Sequence, residues 1–378
     1  MSNILTNMIP DIFEGLDIAS REQVGFIMAV NADNQASRAA KGQEVQIPLY
    51  GAETASDINP GVTPPNDGDA TTAPTSLILD NARRVPVRIS GEDTVGLNHG
   101  NGASSYIAGR FAQGFRTMTN EVEASLALKA FSASRAIGTA GTTPFASSLS
   151  DSAQLLKVLK DNGANGDLRM VVDTSTGANL RSLTQLTKAN EAGTDEALRT
   201  GTILDVNGFR IGESGAADEL SHTKGGGTSY LLNDATSAVG DTTIAVDTGS
   251  GTILAGDVVV FAGDTNKYIV ATALATGSFT IALPGLRVAL EDNAAVTVGN
   301  SYSANVGFVR SAFHMASRPP ARPAQGDLAI DVQMVTDPFS GLTFEVSVYE
   351  QYRQIQFEIG LVWGSKVIKP AHMAMLLG

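Results

Sequence analysis

The sequence predicts an α+β protein with one long helix and a separate all-β module. Apolar residues recur every three or four positions between residues 103 and 137, which is the spacing of one buried helix face. Short strand-like runs follow one another over residues 222–302 with hardly any helix signals. The chain has 378 residues, and at about 150 residues per domain this length corresponds to about two or three domains.

Composition excludes several classes of protein. The chain has no cysteine, so it forms no disulfide, thiolate nucleophile or cysteine-ligated metal site. Its net charge of −13 argues against a nucleic-acid-binding protein, which normally carries a basic surface. We expect no secretory signal, since the first apolar residues lack a basic flank. We also expect no membrane span, since no apolar run reaches about 18 residues.

The N-terminal region begins with an arm and an acidic loop. Residues 1–45 mix short apolar groups with polar ones, which predicts an arm that packs on something else. Alternating apolar residues in Glu44–Gly51 and Ala82–Ser90 predict strands on either side of residues 51–82. This connecting stretch has no Lys or Arg, and its acids are Glu53, Asp57, Asp67, Asp69 and Asp80. It is either a solvated loop or, because structureless loops of this length are uncommon, a long two-stranded flap.

Residues 103–137 form the clearest predicted helix. Ser104 and Ser105 can cap its N-terminus. A length of about 50 Å, at 1.5 Å per residue, suits a spine against which other segments pack. The predicted buried stripe consists of Ile107, Phe111, Phe115, Met118, Val122 and Leu126.

The next residues predict a mixed α/β unit. We expect a helix from Ser150 to Gly163, a buried strand from Asp167 to Ser175 and a second helix from Ala178 to Leu186. Asn207-Gly208 predicts a two-residue hairpin turn.

A small all-β barrel or sandwich is predicted as an insert at residues 222–302, entered through the glycines at 225–227. Its strand signals are YLLN, TTIAV, DVVVFA, KYIVAT, SFTIAL and AAVTV. After the insert, NVGFVRSAFHMASRPP predicts a strand and a helical turn. Alternating stretches near the C-terminus then predict long antiparallel strands.

No pattern of catalytic or metal-binding residues stands out. No glycine-rich phosphate loop occurs. Acid pairs such as Glu121/Glu123 and Glu291/Asp292 are interpreted as solvated faces. The four histidines lie far apart, without metal-ligand spacing, at His99, His222, His314 and His372.

One tetrapeptide matches a catalytic signature. Asp247-Thr248-Gly249-Ser250 follows a strand, as the Asp-Thr-Gly sequence of aspartic proteases does. A second Asp-Thr-Gly copy is absent, and Asp and Gly are common turn residues. A turn is therefore the favoured interpretation, and a protease is a remote alternative.

The order of these elements resembles a known family. The most suggestive segments are EVQIPLYG to ARRVPVRISG around the flap, SYIAGRFAQGFRTMTNEVEASLALKAF in the spine helix and NVGFVRSAFHMASRPP after the insert. With arm, flap, spine helix and β insert in this order, the chain resembles the major capsid proteins of tailed double-stranded DNA bacteriophages, which have the Hong Kong 97-type coat fold. It looks closest to the branch with an inserted β domain.

The resemblance implies a division of nearly the whole chain into named parts. These are an N-terminal arm (1–45), an extended loop (46–92), a peripheral domain with the spine helix (93–149), a first axial part (150–221), the inserted β domain (222–302), a second axial part (303–341) and the peripheral strands with the C-terminus (342–378).

The resemblance also implies a role and partners. Such proteins self-assemble from hexamers and pentamers into an icosahedral shell around DNA, with a portal protein and in some cases a decoration protein. It implies a virion component assembled in a bacterial cytoplasm, with no enzyme activity, cofactor or metal. Since the arm begins at once, we expect a separate scaffolding protein. Since residues 51–82 lack Lys, we expect no covalent crosslinks between subunits.

A flap that reaches a neighbouring subunit needs a basic receiving surface. Exposed ion pairs contribute only about 0–1 kcal/mol each, so many contacts must add up. The interface candidates are Glu53, Asp57, Asp67 and Asp69 on the flap, with Arg83, Arg84, Arg88, Arg110 and Arg116 to receive them. The alternatives to a phage shell are a bacterial surface or adhesin protein with β modules, an encapsulin-like nanocompartment shell and, remotely, an aspartic protease.

Overall fold

The computed structural model describes most of the chain. The described residues are 24–49, 55–63, 74–98, 103–188, 199–201, 203, 205–234, 236–338 and 340–378. The named helices are α1 (Phe26–Ala29), α2 (Gly91–Asn98), α3 (Ala103–Ala127), α4 (Ser150–Asp161), α5 (Thr174–Ser182), α6 (Thr184–Thr187) and α7 (Ala217–Leu220). Single 3-10 turns lie at Leu128–Ser132, Arg310–Ala312 and Pro370–His372.

The strands outnumber the helices in these described parts. The first half of the chain contributes β1 (Asn31–Asn34), β2 (Glu44–Ile47), β3 (Thr75–Ile78), β4 (Asn81–Ser90), β5 (Arg135–Gly138) and β6 (Leu168–Val172). The middle contributes β7 (Arg210–Glu213), β8 (Ser221–His222), β9 (Tyr230–Leu232), β10 (Thr236–Ser237), β11 (Thr243–Asp247), β12 (Val258–Phe261), β13 (Lys267–Ala275), β14 (Ser278–Ile281), β15 (Leu290–Glu291) and β16 (Ala295–Val298). The last part contributes β17 (Tyr302–Val309), β18 (Phe313–Arg318), β19 (Ala329–Thr336), β20 (Thr343–Gln351), β21 (Gln354–Val367) and β22 (Met373–Leu377). The predicted α+β class is confirmed.

The first sheet lies against the spine helix α3. Its longest strand, β21, pairs antiparallel with β20 and β18 along one edge and with β4 along the other. β19 continues the sheet beyond β20, and β1 joins β18 in parallel. The long antiparallel strands predicted near the C-terminus are β19, β20 and β21.

The predicted stripe of the spine helix forms its buried face. The ring of Phe111 meets that of Phe357 edge-on at 5.1 Å, and the ring of Phe115 meets that of Phe344 at 5.3 Å. Ile107 is half-buried against the same core. The fully buried members of the stripe are Phe111, Phe115, Met118, Val122 and Leu126.

The spine helix is shorter than the predicted span 103–137. It ends at Ala127, continues as one 3-10 turn and gives way to strand β5 at Arg135. The large apolar residues at helical spacing also end at Leu126. The following residues therefore continue no apolar stripe that a longer helix would bury. From Ser134 onward the chain bonds instead to the C-terminal strand, since the Ser134 N–H donates to the Met373 carbonyl and β5 pairs in parallel with β22.

The second sheet contains the strand order β5-β22-β17-β6-β7 and continues from β5 to β13 of the predicted β module. Strand β22 occupies an inner position, and its residues are buried on both faces. Met373, Met375 and Leu377 contribute to the core shared with the spine helix, whereas Ala374 and Leu376 face the core under α4 and α5.

The C-terminal region contributes strands to both sheets. Residues 303–341 contribute β17 to the second sheet but β18 and β19 to the first. The last strand lies in the second sheet because Ala304–Phe308 pair with Met373–Leu377 over five positions. An all-apolar strand needs such an inner place, where both faces are covered.

In the mixed α/β unit, a helix cap sets the boundary between strand β6 and helix α5. The predicted strand Asp167–Ser175 ends at Val172, and the predicted helix Ala178–Leu186 begins earlier, at Thr174. The cause is Asp173, whose carboxylate accepts the Thr176 N–H at 2.8 Å and so caps α5. The predicted helix from Ser150 is confirmed and ends at Asp161.

The predicted turn Asn207-Gly208 is also confirmed. Both residues have positive φ, at 50° and 81°, and the flanking Val206 and Phe209 exchange backbone hydrogen bonds. Two such residues in succession are typical of the type I′ turn, which favours Asn-Gly.

The predicted β module is a closed barrel. Six strands pair antiparallel in the ring β12-β16-β9-β11-β14-β13 and back to β12, and they correspond to the six predicted runs. The barrel has its own apolar core, which includes Leu232, Ile244 and Phe279. The chain enters and leaves it side by side, since His222 pairs with Tyr302 between β8 and β17.

The flap has a different second strand from the predicted one. Strand β2 pairs with β3, in the register from Glu44 opposite Ile78 to Ile47 opposite Thr75. The predicted partner, Ala82–Ser90, instead forms β4 and pairs with β21 over ten positions. In this position, apolar side chains of β4 are buried beneath the spine helix. They would remain in contact with water in a solvent-exposed hairpin.

Candidate assembly surfaces

The flap is anchored at its base. Leu77 and Leu79 are buried against Val362 of the first sheet. Lys366 reaches across from β21, and its Nζ donates to Thr75 Oγ1 and to the Ser76 carbonyl, both at 2.8 Å. These contacts fix the direction in which the hairpin leaves the body.

Beyond this base, the structure describes residues 55–63 of the flap. Every residue of the described segment 55–63 is exposed, including the predicted interface residue Asp57. Ile58 and Val62 are exposed at 97% and 104%. Of the other predicted flap candidates, Glu53, Asp67 and Asp69 lie outside the described residues.

The three predicted arginines of β4 already have partners within the chain. Arg83 lies 3.5 Å from the Glu121 carboxylate, and Arg84 lies 2.6 Å from that of Glu358. Both arginine side chains remain more than half exposed, at 64% and 59%. Arg88 donates to the side-chain carbonyl of Gln356 at 3.4 Å. The arginines therefore form an exposed, partly neutralised basic strip on one strand.

The two predicted arginines of the spine helix are exposed too. Arg110 donates to the Tyr106 hydroxyl at 3.0 Å, with its guanidinium over the same ring at 5.9 Å. Arg116 lies on the exposed surface of the same helix. Thus the structure keeps all five predicted arginines at the surface, on two neighbouring elements.

One acidic residue was assigned wrongly from the sequence. Glu121 is exposed as expected, but Glu123 is buried, with 3% exposure. Its carboxylate accepts the N–H groups of Gly25, Phe26 and Ile27 at 2.8 to 3.1 Å. No local pattern signals this, because the donors come from a distant segment.

A second buried acid was also missed by sequence reasoning. Glu345 lies on β20 at a position that the alternating pattern predicts to be exposed to solvent. The residue is nevertheless only 4% exposed. Arg322 Nε donates to its carboxylate at 2.9 Å, and Arg38 forms a second ion pair with it. The two arginines hold the residues around 38 and 322 over the sheet.

The protease-like tetrapeptide forms a turn. Thr248 has a positive φ of 55°, and its hydroxyl donates to Asp247 at 3.0 Å. A Cβ on Gly249 would lie 2.3 Å from the ring of Tyr230, so only glycine fits here. The Asp-Thr-Gly sequence is explained by this close packing.

Metal and membrane sites were also sought in the described parts of the chain. No group of three or more potential metal ligands occurs among those residues. No described helix is long and apolar enough to cross a membrane. Of the histidines, His99 is outside the described residues, and His222 bonds to the buried Asp257 at 2.9 Å.

No protein-family model and no curated protein matches the chain. Similar solved structures include one of Mycobacterium phage Che8, at 18% identity, a TM-score of 0.48 and coverage of 94% of this chain and 91% of that one. The capsid of Cyanophage P-SCSP1u gives 15% identity, a TM-score of 0.48 and coverage of 92% and 86%. A virus-like particle from Pyrococcus furiosus gives 8%, 0.45 and coverage of 99% and 100%.

Proposed function

We propose that this chain is a structural capsid protein that assembles into the closed head shell of a tailed phage. The observation that carries the proposal is the flap, which is anchored at its base and exposed over its described residues 55–63. Residues 55–63 form no hydrogen bond with any other described residue. Apolar side chains exposed on an anchored extension are suited to contact with another copy of the chain.

The receiving surface in this proposal is the basic strip of a neighbouring copy. The flap carries acids and no base between residues 51 and 82, whereas β4 presents Arg83, Arg84 and Arg88. Because closed symmetric assemblies reuse the same surfaces in every copy, many weak contacts add up to a stable shell.

The chain's acidity suits the enclosure of DNA. With a net charge of −13, the wall offers few of the Lys and Arg contacts by which proteins grip phosphates. We propose that the shell holds DNA without sequence-specific binding and has no catalytic role. It would form in the host cytoplasm from hexamers and pentamers, with scaffolding, portal and decoration proteins as partners.

The test is a double substitution in the described part of the flap, Ile58→Asp with Val62→Asp. Both side chains are exposed, so the subunit should keep its circular dichroism spectrum and unfolding midpoint. Shells pelleted by ultracentrifugation should be lost, since the substitution puts charge into an apolar contact. The matched control, Ile58→Leu with Val62→Ile, should pellet as wild type does. Normal shell yields from the aspartate variant would refute the proposal.

A further inference from the structure

Strand β19 forms one edge of the first sheet, where it pairs with β20 alone among the described strands. Residues 328–336 read LAIDVQMVT, with Asp331 as the one charged residue and no Lys, Arg or Pro. Three of its apolar side chains are exposed, Leu328 at 89%, Ile330 at 51% and Met334 at 37%. Proteins usually protect edge strands with lysines, prolines or a covering segment, because an open apolar edge pairs readily with another strand.

The backbone of β19 offers hydrogen-bonding groups at this edge. The Asp337 N–H donates to the Leu342 carbonyl at 2.9 Å, which extends the β19–β20 ladder in the same register. Because the bonding direction alternates along an antiparallel strand, Val332 and Met334 direct their N–H and C=O groups to the open side. The Val332 N–H donates to the Asp331 carboxylate at 2.8 Å, within its own strand. A partner strand would replace this local bond with a ladder bond.

The strand is complementary to a second copy of itself. In an antiparallel pair about a two-fold axis at Val332, the two Val332 residues exchange two backbone hydrogen bonds. Each Ile330 then lies opposite Met334 of the other copy. Each Asp331 lies opposite Gln333, whose amide can donate to the carboxylate. Within one copy Gln333 Nε2 already lies 3.5 Å from Asp331 Oδ2, so acids and amides would alternate in one polar cluster.

We propose that β19 pairs with β19 of a second copy about a two-fold axis at Val332, which joins the first sheets of two subunits into one continuous sheet. Charge supports this register, because an axis at Met334 would place Asp331 opposite Asp337, and like charges directly opposite destabilise a sheet. The two copies use the same surface, whereas the flap contacts a different surface of its neighbour. This pairing is therefore a second contact between copies, independent of the flap.

A cysteine crosslink tests the pairing directly, since the chain has no cysteine of its own. Opposite residues in a hydrogen-bonded antiparallel pair have Cα atoms about 5.5 Å apart, within the range of a disulfide. The full chain with Val332→Cys, mildly oxidised with copper phenanthroline, should give a covalent dimer on a non-reducing gel. Thr336→Cys on the same strand is the matched control. Its two copies would lie about 27 Å apart, eight residues at about 3.4 Å each, and should stay monomeric.

A charge on the open edge gives a second readout. Met334→Lys, added to Val332→Cys, should lower the dimer yield by at least about tenfold, because it places an ammonium group opposite the apolar Ile330 of the other copy. The matched control is Val239→Lys, at an apolar barrel position that is 62% exposed. It should leave the dimer yield unchanged.

Two results would overturn the pairing. One is a Val332→Cys chain that stays monomeric, and the other is a Thr336→Cys chain that crosslinks as fast. The crosslink should persist when Ile58→Asp and Val62→Asp remove the flap contact, so the β19 pairing and the shell proposal can fail separately.

Discussion

Glu123 accepts the backbone N–H of Phe26 at 2.8 Å and thereby fastens the first described residues to the spine helix. The Ser214 hydroxyl donates to the same carboxylate at 2.7 Å, which adds the segment after β7. Burial raises the pKa of Glu123, and these hydrogen bonds oppose the rise by favouring the charged form. One side chain thus joins three segments that are remote in sequence.

Removing this carboxylate should destabilise the protein. We expect Glu123→Ala to lower the free energy of unfolding by about 1–3 kcal/mol, because buried N–H donors lose their acceptor. Amides of Phe26 and Ile27 should exchange with solvent faster. Glu121→Ala, which removes only an exposed ion pair, should cost less than about 1 kcal/mol. Urea unfolding and hydrogen exchange would decide this, and equal losses in the two variants would contradict the role of Glu123.

Packing at Gly249 offers a test of the barrel. A methyl group there would meet the ring of Tyr230, so Gly249→Ala should destabilise the barrel by about 1–3 kcal/mol. Gly226→Ala is the matched control, because a Cβ at Gly226 has open space. Thermal unfolding should separate the two variants. A Gly249→Ala barrel as stable as the control would show that the turn has room to adjust.

Stability should fall as the pH drops below about 6.5, the ordinary pKa of histidine. Burial lowers the pKa of His314 and of His372 in the folded protein. The unfolded chain therefore binds more protons below that value, and stability rises with pH through this window. Replacing both by Gln should flatten the difference between urea midpoints at pH 8 and pH 5.5. An unchanged difference would exclude these two histidines as its source.

Substitutions at the ion pair between Arg84 and Glu358 distinguish an effect on subunit folding from an effect on shell assembly. Because Arg84 is 59% exposed, Arg84→Ala should cost the subunit less than about 1 kcal/mol. Under the proposed function the same variant should lower the yield of shells. Glu358→Ala breaks the same pair but leaves the arginine charge in place, so it should assemble at least as well as wild type. Equal losses of shells would mean that Arg84 acts only through Glu358.

Local periodicity was sufficient to predict several elements of the fold. The stripe from Phe111 to Leu126 follows helical spacing closely, and every strand of the barrel is a short apolar run between turn residues. Such elements can be read from neighbours in sequence, because their burial depends mainly on their own pattern.

Pairings and buried charges could not be predicted in this way. Alternation marks β4 as a strand but does not say whether its partner is the flap or β21, and Thr75–Ile78 is too short to signal itself. The donors to Glu123 lie 96 to 98 positions away in the sequence. Both features depend on long-range contacts, on which local composition carries no information.

Electron microscopy of the overexpressed, purified protein tests the shell proposal most directly. We predict closed shells of uniform size in which the subunits cluster about five-fold and six-fold axes, with the flap of one copy over β4 of the next. Isolated subunits alone, at concentrations where capsid proteins assemble and also after an extract of phage-infected cells is added to supply the scaffolding protein, would contradict it.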